Sequence, residues 1–446
     1  MVTAAGLVEA DVVLRDGKVA ELAAAGSASG DRVDAQGCFV LPGGVDPHAH
    51  IMSDIRAAAS AAALGGTTTV LSFTNPEPGE GALDCFLRRR GEISAAQPAV
   101  DIGLHAMLYQ PDRVSFEDLK SMRDAGAAGV KVFLAYPELG IMCSTRRLYE
   151  LMTWTRDLGL VMQVHCENGS LIEALVEEAV RSNRRGPSAF SATRPPEVEQ
   201  EAVARVLAAA ALAGAPSYLV HLSCGRALSQ IRLARARPRP QIFAEVCLHH
   251  LLLTGRPQGA SDEDRFLVCP PLRDRTELEA MWEGIIDGTV DTVGSDHAQG
   301  RSLTPEALSL DGVRHGYGLA GIGPRLPLLL SEGLERGVPI LRLVELASTT
   351  SARVFGHYPD KGVIAPGSDA DLVVWSPEGT STLGVATFDD GTGDSVYSGW
   401  SMKGCIRAVV LRGRLIVHEG RLLDDGNGRY QAARASDRAS RATVSG

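Results

Sequence analysis

The sequence predicts an α/β protein, a (β/α)8 TIM barrel with a small β-sandwich module formed from both chain ends. Three observations lead there. The middle of the chain alternates short apolar stretches with Ala/Leu/Arg-rich runs of helical length, the pattern of βαβ units. Eight such apolar stretches can be counted, spread over roughly 310 residues, the size of one barrel with insertions. Both ends instead carry short β-patterned segments joined by tight-turn residues.

The elements follow in order. Val12–Ala20 reads as a hairpin with Asp16-Gly17 as its turn. Barrel strands are expected near Val45–His50, Thr68–Phe73, Ile102–Met107, Gly129–Leu134, Val161–His165, Tyr218–His221, Ile242–Val246 and Val290–Ser295. Helices are expected at Leu148–Leu158, Leu171–Ser182 and Val198–Ala213. Asp371–Trp375 is a further strand and Ala408–Val417 a second hairpin. The expected domains are therefore residues 1–42 and 355–425, two parts of one β-module, around a barrel at 43–354. Residues 426–446 are Arg/Ala/Ser-rich and read as an extended or disordered tail.

Composition narrows the class. Of 446 residues, 45% are hydrophobic and 22% charged, the balance of a soluble globular protein. The net charge is −10 and the Lys and Arg residues are scattered, so no basic face offers itself to nucleic acid. Eight cysteines without a C-x-x-C pair, several in apolar runs, read as reduced core thiols. Met1–Ala5 lacks a basic region leading into an apolar core, and no uncharged apolar run reaches about 18 residues. Neither a signal peptide nor a membrane span is expected, and the expected location is cytoplasmic.

Chemistry enters at the strand ends. His48 and His50 are two residues apart on the first strand, so both imidazoles face one side and can reach one metal ion. Lys131 interrupts the apolar run Gly129–Leu134, where a free ammonium is costly to bury. A lysine carboxylated on its amine would turn that cation into an anionic bridge between two metals. His165 and His221 close two further strands, and Asp296 follows Val293-Gly294-Ser295. Each has a bland reading alone, as a satisfied core histidine or a snorkelling lysine. Together, at the ends of strands one, four, five, six and eight, they describe a metal centre where a barrel keeps its active site.

With these residues in place the sequence resembles the amidohydrolase superfamily, and within it the hydantoinase/dihydropyrimidinase group of cyclic amidohydrolases. The resemblance rests on Pro42–His50 (PGGVDPHAH), Gly65–Val70 (GGTTTV), Lys131–Tyr136 (KVFLAY), His165–Gly169 (HCENG) and Val220–Cys224 (VHLSC). It continues through Pro270–Arg273 (PPLR), Gly294–His297 (GSDH), Arg325–Leu330 (RLPLLL) and Gly367–Trp375 (GSDADLVVW), nearly end to end. The resemblance implies two Zn2+ ions per subunit, with Mn2+ or Co2+ as substitutes. It assigns His48, His50 and Asp296 to the more buried ion, His165 and His221 to the second, and an N6-carboxylated Lys131 to the bridge. Tyr136 is implied as the hydroxyl that meets the oxyanion, and the backbone near Cys269 and Gly318–Gly321 as the holder of the ring amides. The implied reaction is attack of a zinc-bridged hydroxide on a cyclic amide, with Asp296 as proton shuttle. The implied assembly is a homotetramer or homodimer.

Departures bear on substrate. Dihydroorotases carry an arginine two residues past the second histidine, where this chain has Met52. Asn75 in Thr74-Asn75-Pro76 and the stretch Glu245–His250 partly resemble the dihydroorotase pattern, so Asn75 is a further substrate-binding candidate. The segment from His50 to Gly65 is shorter than in hydantoinases, and Gly323-Pro324 stand where relatives place an acidic residue. Dihydroorotase- or allantoinase-type ring opening is the alternative activity. A metal-free scaffold is a third reading, and the six filled ligand positions argue against it.

Overall fold

The computed structural model describes residues 1–3, 5–184, 186–236, 241–256, 262–298 and 318–434. Parallel strands run Gly44–His50, Thr67–Phe73, Asp101–Met107, Gly129–Phe133, Met162–His165, Ser217–Leu222 and Ile242–Cys247, followed by a broken eighth made of Thr292–Gly294 and His297–Ala298. Each pairs with its sequence neighbour. Most are buried along their whole length, which is why they read as apolar runs rather than as alternating ones. Helices Thr145–Asp157, Gly169–Arg181 and Pro196–Ala213 lie where helical patterning places them.

The eighth strand departs from expectation. Its upstream piece pairs with Ile242–Cys247 and its downstream piece with Gly44–His50, so the sheet closes on itself across Ser295-Asp296. Asp296 has a left-handed backbone, φ 47°. The first strand stitches the gap: the Asp46 carboxylate accepts from the Ser295 N–H at 3.0 Å, and the His48 carbonyl accepts from Ser295 Oγ at 3.0 Å and from the Asp296 N–H at 2.9 Å. Below it the fully buried Arg325 donates to the Val293 and Ala347 carbonyls at 2.9 and 3.1 Å.

The β-module draws on both ends. Phe39–Pro42 is the edge strand of an antiparallel sheet completed by Leu372–Thr382, Ser401–Leu411, Arg414–His418 and Arg421–Leu422. The hairpin Ala10–Arg15/Lys18–Ala24 packs Val12, Leu14, Val19 and Leu22 against Leu372 and Val410 of that sheet. Both hairpins turn on paired left-handed residues, Asp16-Gly17 and Arg412-Gly413, as two-residue β-turns require.

The expected tail is docked over its first part. Gly428 donates to the Pro98 carbonyl at 2.7 Å, the Arg429 carbonyl accepts from Ile102, and Gln431 donates back to Ile102. The start of the third barrel strand offers backbone groups there that need partners, and side-chain composition does not record that demand. Residues 435–446 lie outside the described residues.

One buried ionic cluster ties module to barrel. Lys361 Nζ reaches Asp101 and Asp371 at 2.6 Å and Asp369 at 2.9 Å, and Arg412 pairs with Asp101 at 2.5 Å. Removing the central cation leaves buried carboxylates short of a partner, so Lys361→Met is expected to cost about 3–5 kcal/mol of stability. Calorimetric unfolding of both proteins checks this, and an unchanged transition would show the cluster to be dispensable.

Candidate active site

The candidate ligands converge at the carboxyl ends of the strands. His48 is fully buried. Its Nε2 lies 2.9 Å from Asp296 Oδ1 and 3.1 Å from Lys131 Nζ, and its Nδ1 lies 2.7 Å from Glu245 Oε1. His50 Nε2 is 3.4 Å from the same Asp296 oxygen. His48, His50 and Asp296 thus offer three ligand atoms within 4.8 Å of one another. His165 Nδ1 stands 3.0 Å from His221 Nε2, while His165 Nε2 meets Glu167 Oε2 at 2.9 Å. The two halves adjoin, with His48 and His221 ring centroids 5.4 Å apart.

The donor set fits cations. Glu245 and Glu167 take the outer N–H of His48 and His165, which fixes the tautomers and turns lone pairs inward, the arrangement found around metal-ligating histidines. Two inward nitrogens 3.0 Å apart need a proton or a cation between them. His221 Nδ1 is buried without a hydrogen-bond partner among the described residues. Burial and the Lys131 ammonium push the His48 pKa down, and Glu245 and Asp296 more than reverse it. Burial lowers that of Lys131, which lies 4.2 Å from the Phe73 ring centroid, and favours its neutral amine.

Three of the candidates sit on left-handed backbone: Tyr136 (φ 65°), His221 (φ 39°) and Asp296 (φ 47°). Non-glycine residues rarely adopt it, and such strain concentrates where a side chain must be aimed. At His221 the pairing register also slips between Leu219 and Leu222. Tyr136 lies against His165, with ring centroids 5.2 Å apart, and burial holds its hydroxyl well above the ordinary phenol range.

Around this core the remaining candidates divide. Cys269 Sγ donates to Glu167 at 3.3 Å and belongs to the same buried cluster as Tyr136. Gly318 stands where a Cβ would meet Ala298 Cβ at 2.6 Å, and Gly321 donates to His297 Nδ1 at 3.3 Å. Asn75 accepts from the Tyr109 hydroxyl at 3.3 Å, and its carbonyl accepts from Arg88. Met52 is 44% exposed. Arg56, the arginine of the shortened segment after His50 that could otherwise supply a carboxylate contact, is tied to the Ala96 carbonyl and Asp425. Glu245 and Glu167 received no role from the sequence. An acid inside the apolar run Phe243–Cys247 carries the same signal as Lys131 and could have exposed Glu245.

Residues 39–416 match the model of the amidohydrolase family. The chain belongs to that family. Among relatives, a D-hydantoinase of Rhizobium radiobacter is 33% identical over 433 residues, 94% of either chain. Among solved structures, a dihydropyrimidinase from Brevibacillus agri NCHU1002 superposes with a TM-score of 0.92 at 31% identity, covering 97% of both chains. An L-hydantoinase (dihydropyrimidinase) from Arthrobacter aurescens reaches 0.87 at 29% identity, over 96% of this chain and 97% of that one. The similarity places the chain in the hydantoinase/dihydropyrimidinase group of the amidohydrolase family. Among the described residues no helix is long and apolar enough to cross a membrane.

Proposed function

We propose that this amidohydrolase opens the ring of a neutral cyclic amide of hydantoin or dihydropyrimidine type by hydrolysing its C–N bond. The observation that carries the reading is the convergence of His48, His50, Lys131, His165, His221 and Asp296 on one another, in a chain similar to such enzymes over nearly its full length. His48, His50 and Asp296 would hold one divalent cation, His165 and His221 a second, and Lys131 both. When bound, the two cations supply an activated water and Lewis acidity at the scissile carbonyl.

The chain's own residues do the rest. The neutral Lys131 amine can attack CO2, forming an N–C bond and releasing one proton, to give an anionic carbamate in place of a buried cation. Glu245 keeps the His48 ring in one tautomer and orientation, and Glu167 does so for His165. The Tyr136 hydroxyl, which burial keeps protonated, donates to the oxyanion that forms at the carbonyl. Asp296 takes the proton of the attacking water and returns it to the leaving ring nitrogen. The backbone at Cys269 and Gly318 would align the ring amides.

A substrate panel tests this directly: dihydrouracil, hydantoin, both enantiomers of 5-substituted hydantoins, allantoin and dihydroorotate, on metal-loaded protein. The solved neighbours include a D- and an L-hydantoinase, so both hands belong in it. Met52 stands where a guanidinium would pair with a substrate carboxylate, and Arg56 is turned to Asp425. Leaving an anion unpaired in a desolvated site costs several kcal/mol, and each 1.36 kcal/mol is about tenfold in rate. Dihydrouracil is therefore expected to exceed dihydroorotate by at least about a hundredfold in kcat/KM. The reverse order would overturn the neutral-ring assignment in favour of a dihydroorotase.

A further inference from the structure

Past Glu245 the seventh strand ends at Cys247, and the chain turns at once into the short helix Leu248–Leu252 carrying His249 and His250. All three side chains are buried, and they present ligand atoms within 4.8 Å of one another. Their hydrogen bonding is incomplete. His250 Nε2 lies 3.1 Å from the Pro270 carbonyl, which takes its N–H, so Nδ1 carries a buried lone pair without a partner among the described residues. Neither ring nitrogen of His249 has a hydrogen-bond partner among the described residues. Among the described residues the Cys247 thiol makes one long contact, 3.6 Å, to Glu245 Oε1. The Tyr397 hydroxyl, within electrostatic reach of Cys247, is buried and has no hydrogen-bond partner among the described residues.

So many unsatisfied polar atoms around one point are costly unless something binds them. We propose that Cys247, His249 and His250 form a third cation site, of sulfur and imidazole character, that takes a borderline-to-soft divalent ion of the zinc class. It is chemically distinct from the candidate active site, whose proposed donors contain no sulfur. The Pro270 carbonyl plays toward His250 the part that carboxylates play toward His48 and His165, fixing a bare nitrogen toward the ion. A tetrahedral ion holds sulfur and nitrogen ligands about 3.5 Å apart, which a modest rotation of the imidazoles supplies. Binding would deprotonate Cys247 and end its contact with Glu245, the residue that orients His48.

Cobalt reads this site apart from the other. The full chain is expressed in medium with Co2+ as the added divalent metal, so that the buried site loads as the chain folds. Metal content and the near-ultraviolet thiolate-to-cobalt charge-transfer band are then measured. The expected result is three ions per chain with the band present, and loss of both the third ion and the band in Cys247→Ser and in His249→Gln. A wild type with no band overturns the proposal, leaving an ordered water to serve these groups. A band that survives Cys247→Ser also overturns it, by assigning the thiolate elsewhere, for example to Cys269 beside Glu167. The band reports a thiolate on the metal and is independent of turnover, so the site can stand or fall separately from the proposed reaction.

Discussion

Asp296→Asn is expected to keep the fold and lose about 10²–10⁴-fold in kcat, the usual worth of a positioned general acid–base group. Asparagine preserves size and can still present an oxygen toward His48 and His50, from which Asp296 Oδ1 lies 2.9 and 3.4 Å. It cannot accept a proton and return it. The bonds that seat residue 296, from its N–H to the His48 carbonyl and from the Ser295 N–H and hydroxyl to Asp46 and His48, do not involve the substituted atom. The protein should therefore stay folded with its metal content little changed, and asparagine is among the residues that tolerate a left-handed backbone. Steady-state turnover with metal analysis on the same preparation separates the two roles. A loss below tenfold would remove Asp296 from proton transfer.

Lys131→Ala is expected to abolish turnover and sharply lower metal content. Lys131 is buried between the Phe73 ring and His48, and nothing else among the described residues could supply an anionic bridge from that strand. Removing the side chain leaves a cavity open toward His48. Short carboxylic acids such as acetate or propionate can enter it and replace the carbamate oxygens, so partial recovery of both metal and activity with added acid is predicted. Mass measurement of the intact wild-type chain under CO2, in non-denaturing conditions, gives an independent readout. A variant that retains two metals per chain and full turnover would refute the bridging role.

Much of this was legible in the sequence, for reasons that can be named. Most of the barrel strands showed because burial on both faces writes a largely apolar run, and Lys131 showed because it breaks one. The histidines were visible because two-residue spacing and strand-end position together restrict where imidazoles can point. The break in strand eight was not visible. It depends on bonds from Ser295 and Asp296 to residues about 250 positions earlier, Asp46 and His48, and local propensity holds no trace of such a pairing. Glu245 was masked for a related reason. Its partners His48, Tyr218 and the His221 backbone all come from other strands, and only the fold gathers them. The docked segment around Gly428–Gln431 was hidden because backbone, not side chains, binds it.

The interruption at Ser295-Asp296 also limits how the molecule can change. Replacing Asp296 by glycine would relieve a left-handed residue while leaving intact the backbone bonds that seat it. Under the mechanism proposed above, the same exchange would remove the proton carrier. The sheet thus keeps a locally frustrated joint that ordinary selection for stability cannot smooth away. Consensus or stability-guided redesign of this chain should favour substitutions here that yield sturdier and inactive proteins.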